Sequence, residues 1–148
     1  MDAIVQRYSD KEDLVFELDF TSNNSLFDSD ILISDWSGSA YEFSLVTLKP
    51  SVFINTPPKI NNPDYDKLGV EPLEFTLRSE VGIQVDPAHM TDLDEKIKEL
   101  IASSEAYANK IEEIRNKYIA NFGRSGEVGG KYVLGQLLER QNKQEDKK

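Results

Sequence analysis

The chain has 148 residues, of which 39% are hydrophobic and 30% charged, and its formal net charge is -10. This composition is typical of one soluble globular domain, and the acidic charge argues against nucleic acid as a partner, because affinity for a phosphate backbone depends on clustered Lys and Arg. The absence of cysteine and of long apolar runs excludes disulfides, thiolate zinc sites and membrane-spanning helices. The first residues lack a secretory signal pattern, which is compatible with a cytoplasmic location. We predict neither a metal site nor a cofactor.

The first half of the chain alternates apolar runs with turn-forming residues. Leu14 to Phe20 is short and apolar-rich, which predicts a strand, and the cluster from Thr21 to Asn24 predicts a turn. Ile31 to Ser34 predicts a strand that is buried on both faces. Helical spacing from Ala40 to Leu48, ended by a proline, and an apolar run from Ser51 to Asn55 complete a βαβ unit. Such a unit requires parallel strands.

The second half begins with a long loop and continues as helices. Residues 56–77 are rich in Pro and Asn, and an ordered loop of this length usually covers a site or contacts a partner, with disorder as the alternative. Val81 to Val85 predicts a last short strand, and Thr91 followed by Asp94 resembles a capping box. Three helices then follow. Their apolar faces are formed by Leu93, Ile97, Leu100 and Ile101, by Tyr107, Ile111, Ile114 and Tyr118, and by Val133, Leu134, Leu137 and Leu138.

These elements predict an α/β fold with a Rossmann-like parallel sheet and C-terminal helices. The domain is expected to span residues 1–140, and residues 141–148 are expected to be a polar, frayed tail. A complete nucleotide-binding domain of this class has about six parallel strands, more than the candidate strands found here. We therefore expect an incomplete domain, either a fragment or a subunit that depends on a partner. An open edge strand would also permit dimerisation.

The strongest local feature is the segment from Ser34 to Ser39, in which a strand ends in small residues that open a helix. Free N–H groups in a first helical turn attract anions, and Gly38 allows a phosphate to approach the backbone. The hydroxyls of Ser37 and Ser39 can donate to phosphate oxygens, and Glu42 can accept a ribose or glycerol hydroxyl. The alternative is that Ser37 only caps the helix and Gly38 serves packing.

Other polar and aromatic residues have weaker claims. The Asp35 carboxylate is expected to hold the loop by accepting N–H bonds, and Trp36 either stacks on a ligand or belongs to the core. Arg78 and Arg124 are candidate anion contacts, with a surface ion pair and a turn as their alternatives. The single histidine, His89, has no nucleophile motif to serve and is expected in a surface loop.

Two stretches of the sequence resemble the CDP-glycerol glycerophosphotransferase family. Asp30 to Phe43, with DILISDWSGSAYEF, is similar to the family segment D-I-L-I-T-D-Y-S-S followed by an acidic residue, and Lys49-Pro50 precedes the next strand as it does in that family. Residues 61–73 are similar to a proteobacterial branch of the family. The chain departs from the pattern at Trp36, where the family has Tyr, and at Gly38, where it has a second Ser.

The resemblance covers roughly residues 14 to 140, and it implies the C-terminal, donor-binding domain of a two-domain GT-B transferase. Such enzymes transfer glycerol phosphate from CDP-glycerol to a polymer or lipid-linked acceptor at the cytoplasmic face of the membrane, with which they associate peripherally. By matching position, Ser37, Gly38 and Ser39 would contact the donor phosphates, and Glu42 would lie beside them. The family's catalytic histidines precede this motif and have no counterpart in residues 1–29, so the chain alone is expected to be inactive.

Two other interpretations stay open at this point. The loop from Ser34 to Ser39 is also compatible with a non-catalytic module that binds a nucleotide or nucleotide-sugar. It is equally compatible with half of another GT-B glycosyltransferase or of a sugar-nucleotide epimerase. The Lys49-Pro50 pair and the sequence of residues 61–73 favour the glycerophosphotransferase.

Overall fold

A computed structural model of the protein describes residues 2–18, 24–58, 60 and 62–145. Its centre is a three-stranded sheet formed by β1 (Leu32–Ser34), β2 (Ser51–Ile54) and β3 (Gly82–Val85), in the spatial order β1-β2-β3. Both pairings are parallel. The helix α3 (Ser39–Thr47) joins β1 to β2, so the predicted βαβ unit and its parallel sheet are confirmed.

The sheet is covered by helices on both faces. On β2, Phe53 packs with Tyr41 of α3 and with Ile111 of α6 (Ser104–Tyr118). Its neighbour Val52 packs instead with Leu100 of α5 (Leu93–Ala102). Because successive residues of a strand point to opposite faces, these two clusters lie on the two sides of the sheet. The fold is therefore a three-layered α/β arrangement, as the sequence predicted at the level of fold class.

The remaining helices are short or peripheral. They are α1 (Asp2–Tyr8), α2 (Asn24–Asp28), α4 (Leu73–Leu77), α7 (Ser125–Glu145) and two 3-10 helices (Tyr65–Leu68 and Pro87–Asp92). The first 3-10 helix and α4 lie within residues 56–77, where the sequence predicted an extended loop. That segment thus has local structure of its own.

The predicted N-terminal strand is wrong over the residues that the structure describes. Residues 14–18 form no strand, and α1 precedes them. Val15 is 80% exposed and Leu18 is 56% exposed, so the apolar run does not enter the core. A short apolar run forms a strand only when a neighbouring strand supplies its hydrogen bonds, and this one lies outside the described sheet. Residues 19–23, which include the end of the predicted strand and most of the predicted turn, lie outside the described residues, and Asn24, the last residue of that turn, begins α2.

Two further expectations need correction. The strand β1 is not buried on both faces, because Ile33 is 47% exposed while α5 covers β2 and β3 on that side. The capping box is absent because Thr91 lies inside a 3-10 helix, where its hydroxyl donates to Asp92. The side-chain cap belongs instead to that 3-10 helix and comes from Asp86, whose carboxylate accepts from the N–H of Ala88 at 2.8 Å.

The last helix forms where helical spacing predicted it, but its apolar face is exposed. Gly123 has a φ of 71°, a left-handed conformation that favours glycine, and α7 begins after it. Val133 and Leu134 are each 57% exposed, Leu137 is 53% and Leu138 is 51% exposed. The helix continues to Glu145, beyond the predicted domain end at residue 140.

Candidate functional site

The candidate loop lies at the carboxyl end of the parallel sheet. Residues 34–39 leave β1 and enter α3, and the end of β2 continues beside them into Asn55 and Thr56. In open α/β sheets, ligands bind at this edge because loops and helix N-termini converge there. The topology therefore places the loop from Ser34 to Ser39 where the sequence predicted it.

Local hydrogen bonds organise the first turn of α3. The Ser37 hydroxyl accepts from the Ser39 N–H at 3.3 Å, and the two hydroxyls are 3.2 Å apart. The Ser37 carbonyl accepts from Ala40, and the Gly38 carbonyl accepts from Tyr41 at 3.0 Å. The three predicted phosphate-binding residues are thus brought together in one turn. The N-cap of α3 is Gly38, and no side chain caps the helix, so the alternative in which Ser37 is the cap is wrong, and the phosphate-binding role stays a prediction.

Gly38 faces open space. Its φ is -59°, in the right-handed helical region, so the backbone conformation does not itself require glycine here. A Cβ built on it would meet nothing within 4 Å. What glycine provides at this position is therefore room beside the backbone, which is the property a close-approaching phosphate needs.

Trp36 connects the loop to the residues after β2 through a hydrogen bond. Its indole N–H donates to the Thr56 carbonyl at 2.6 Å. Its ring lies 4.8 Å, between centroids, from the ring of Phe75 in α4. Trp36 is only half-buried, and it also lines the cleft described below. It therefore supports the loop and contributes surface to the site.

Arg78 lies directly beneath the loop and is 1% exposed. Its guanidinium donates to the Asp35 carbonyl at 2.7 Å, to the Asn55 side-chain oxygen at 2.9 Å and to the Ile54 carbonyl at 3.3 Å. The same group lies 3.9 Å from the centroid of the Trp36 ring. These contacts tie the exits of β1 and β2 together, which is a positioning role. The guanidinium already donates to these protein oxygens. The anion contact predicted for Arg78 stays a prediction.

The surroundings of Arg78 also affect Tyr41. The Tyr41 hydroxyl donates to the Glu74 carbonyl, and the residue is 8% exposed. Burial raises the pKa of Tyr41 above its ordinary value, and the nearby positive charge of Arg78 partly opposes that rise. Tyr41 therefore links α3 to α4 as a neutral hydrogen-bond donor.

A cleft of about 310 Å³ opens between the loop and the segment after β2. Its lining is more apolar than polar and contains three aromatic rings and two prolines. The lining residues are Trp36, Gly38, Pro58, Ile60, Asn62, Tyr65, Pro72, Glu74 and Phe75.

The other predicted residues lie at varying distance from this cleft. Glu42 is exposed in the first turn of α3, and its N–H donates to the Gly38 carbonyl at 3.1 Å. The backbone carbonyl of Asp35 accepts from Arg78, and the role predicted for the Asp35 carboxylate stays a prediction. Arg124 forms the turn before α7, where it pairs with Glu127 at 3.6 Å. It is not among the residues that line the cleft. His89 is exposed in a 3-10 helix before α5.

Residues that line the cleft from the far side were not singled out by sequence reasoning. Tyr65, Glu74 and Phe75 come from the long segment after β2, whose length was the one signal that it covers a site. Spacing within that segment could not identify them, because which residues of an irregular segment face a cleft is decided by tertiary contacts.

Among the described residues, none of the helices has the combination of length and apolar composition that crossing a membrane requires.

Comparisons with known proteins leave the family open. The chain matches no protein-family model, and searches of curated proteins and of solved structures find no match.

Proposed function

We propose that this chain is the donor-binding part of a GT-B transferase that moves glycerol phosphate, or a related group, from a CDP-activated donor to a cell-surface polymer or lipid-linked acceptor. The observation that carries the proposal is the position of Ser37, Gly38 and Ser39. They form the first turn of a helix at the carboxyl end of a parallel strand, beside an open cleft.

The chemistry of this position suits a diphosphate. The N–H groups of residues 39–42 donate to Ser37 or Gly38, so the positive end of the helix dipole, rather than a set of free N–H groups, attracts the phosphate. The hydroxyls of Ser37 and Ser39 add two donors within 3.2 Å of each other. Such donors stabilise the charge that develops on a departing nucleotide diphosphate. Glu42, in the same turn, accepts a hydroxyl of the donor polyol or ribose.

The resemblance in sequence supplies the donor class. The segment from Asp30 to Phe43 and the Lys49-Pro50 pair favour CDP-glycerol over other activated donors. The parent enzyme would act at the inner face of the cell membrane by peripheral association, and the open edge of β1 would permit a dimer. The only histidine of the chain, His89, is not among the cleft residues, so we propose that this chain binds donor without turning it over.

Calorimetric titration with CDP-glycerol, CDP and a UDP-sugar tests the proposal. Gly38→Val fills the space beside the backbone without meeting another group, because a Cβ at this position has nothing within 4 Å. We expect it to weaken CDP-glycerol binding at least about tenfold, as the loss of charged hydrogen bonds implies. Ser39→Ala should weaken binding by a smaller factor.

Matched controls lie in the first turn of α7. Gly126→Val places the same side chain in equally open space, and Ser125→Ala removes the same hydroxyl as Ser39→Ala. Both controls should bind donor as the wild type does. Donor binding that survives Gly38→Val, with an unchanged circular dichroism spectrum, would sink the assignment of the phosphate loop.

A further inference from the structure

The cleft beside the phosphate loop has flat apolar walls. Tyr65 and Phe75 are each 37% exposed, and Pro58 and Pro72 complete the walls. The ring of Trp36 is already in contact with two groups. The Arg78 guanidinium lies 3.9 Å from its centroid, and the ring of Phe75 packs against it. Accessible stacking surface is therefore provided mainly by Tyr65 and Phe75. Flat aromatic walls bind flat ring systems through stacking, which tolerates many substituents on the ring.

The polar groups of the cleft are few and specific. Asn62 and Glu74 lie among the apolar residues, and the described part of the lining contains no Lys or Arg. A carboxylate accepts hydrogen bonds but cannot donate them, and it repels an anionic group. The phosphates of a ligand would therefore lie at the Gly38 end, and a neutral group that carries N–H donors would lie against Glu74. A polyol would need more hydrogen-bonding partners than this lining offers.

From these features we infer that the cleft binds the nucleobase of the donor, and that Glu74 selects a base with an exocyclic amino group. The inference rests on the proposed function, because the phosphate loop fixes the orientation of the ligand. Tyr65 and Phe75 stack on the base, and the Glu74 carboxylate accepts from its amino group. Cytosine satisfies this arrangement. Uracil carries a carbonyl oxygen at the same ring position, and that oxygen would face the carboxylate.

The test compares CDP, UDP and inorganic pyrophosphate by calorimetry on the full chain. CDP and UDP differ in the group that would meet Glu74, and pyrophosphate reports on the phosphate loop alone. We expect CDP to bind about tenfold more tightly than UDP, the factor typical of one charge-assisted hydrogen bond. We expect a similar margin over pyrophosphate from stacking.

Two variants separate the roles of the walls and of the carboxylate. Glu74→Gln keeps the shape of the side chain but adds a donor, so the preference for CDP over UDP should fall to within about twofold. Phe75→Ala should weaken CDP about tenfold and leave pyrophosphate unchanged. The matched control is Glu71→Gln, since Glu71 is exposed on the same segment but does not line the cleft. It should retain the preference of the wild type.

Failure of this inference is distinguishable from failure of the proposed function. If CDP, UDP and pyrophosphate bind equally, and only Gly38→Val abolishes binding, the base site is wrong and the phosphate loop stands. If Phe75→Ala weakens the binding of CDP but Glu74→Gln keeps the full preference for CDP over UDP, the role of Glu74 is wrong. If none of the three ligands binds, both proposals are overturned.

Discussion

The guanidinium carbon of Arg78 lies 3.9 Å from the centroid of the Trp36 ring, and its N–H groups donate to the backbone at the ends of β1 and β2. It donates to the carbonyl of Asp35, one residue before Trp36, and to the carbonyl of Ile54 at the end of β2. A planar group with five donors can donate to carbonyls at the ends of two strands and stack on one aromatic face at the same time. Arg78 therefore fixes the loop that we propose to bind phosphate, from beneath and without facing the cleft.

Replacing Arg78 should destabilise the fold. Arg78→Lys keeps the charge but cannot reproduce the planar fork, so at least one buried carbonyl loses its partner. We expect the free energy of unfolding to fall by about 2–4 kcal/mol, measured by urea denaturation, with a change in the fluorescence of Trp36, the single tryptophan. Arg124→Lys, at an exposed position, should change stability by less than about 0.5 kcal/mol. Equal effects of the two substitutions would contradict the positioning role.

Gly82 should be intolerant of any side chain. A Cβ at this position would lie 1.8 Å from the backbone oxygen of Ser51, its partner in the β2–β3 pairing. Because that oxygen belongs to a buried strand, Gly82→Ala should cost about 3 kcal/mol or prevent folding. In the control Gly129→Ala, the Cβ meets nothing within 4 Å on α7, so stability should stay equal or rise by up to about 1 kcal/mol. Thermal denaturation of the two variants measures the difference.

The buried hydroxyls of Ser44 and Ser51 should be energetically coupled. They lie 2.8 Å apart and are fully buried between α3 and β2, where Ser51 also donates to the Ala40 carbonyl. Ser51→Ala removes the partner of the Ser44 hydroxyl and should cost about 1–2 kcal/mol, whereas Ser44→Ala leaves Ser51 bound to the Ala40 carbonyl and should cost less. The double variant should cost less than the sum, because it leaves no unpaired hydroxyl. Additive effects in a double-mutant cycle would show that the pair does not interact.

The raised pKa of Tyr41 predicts a loss of stability in alkali. Burial is the main cause of the rise, and Arg78 opposes it. The folded chain therefore holds the phenolic proton to a higher pH than the unfolded chain does. Below the unfolded tyrosine pKa of about 10 the contribution of Tyr41 is fully present, and it is lost as the pH rises through the folded pKa.

Spectrophotometric titration of phenolate formation in the wild type and in Tyr41→Phe measures this effect. The difference between the two titrations should report a group that ionises above the ordinary tyrosine pKa of about 10. Tyr41→Phe should also make the stability less dependent on pH above about 10, since it removes the titrating group. A Tyr41 that ionises at or below a pH of about 10 would contradict the prediction.

The apolar face of α7 should contribute little to the stability of this chain. Leu137 is 53% exposed, whereas Ile111 is fully buried against the sheet. We expect Leu137→Ala to change the free energy of unfolding by less than about 0.5 kcal/mol, and Ile111→Ala to lower it by about 2–5 kcal/mol. Amide hydrogen exchange should also be faster in α7 than in α6. A large cost at Leu137 would show that this face is covered in solution.

Short-range patterns in the sequence were sufficient for the βαβ unit. Ile31 to Ser34, the helix that follows it and the strand that begins at Ser51 all form within one residue of their expected start or end. The apolar run from Leu14 failed because a strand also needs a neighbour, which local sequence cannot supply. The exposure of Ile33 has the same origin. The pattern showed that the residue is apolar, but coverage by a helix depends on where α5 lies.

The sequence by itself determined the α/β class and the small-residue turn from Ser34 to Ser39, since both follow from hydrophobic spacing and from the shapes of Ser and Gly. Only the tertiary structure decided that Arg78 lies beneath this turn and that Tyr65, Glu74 and Phe75 face it across a cleft. Between Gly38 and these residues the chain runs through α3, β2 and part of the segment of residues 56–77. Contacts over such separations depend on packing in three dimensions and leave no periodic signal in the sequence.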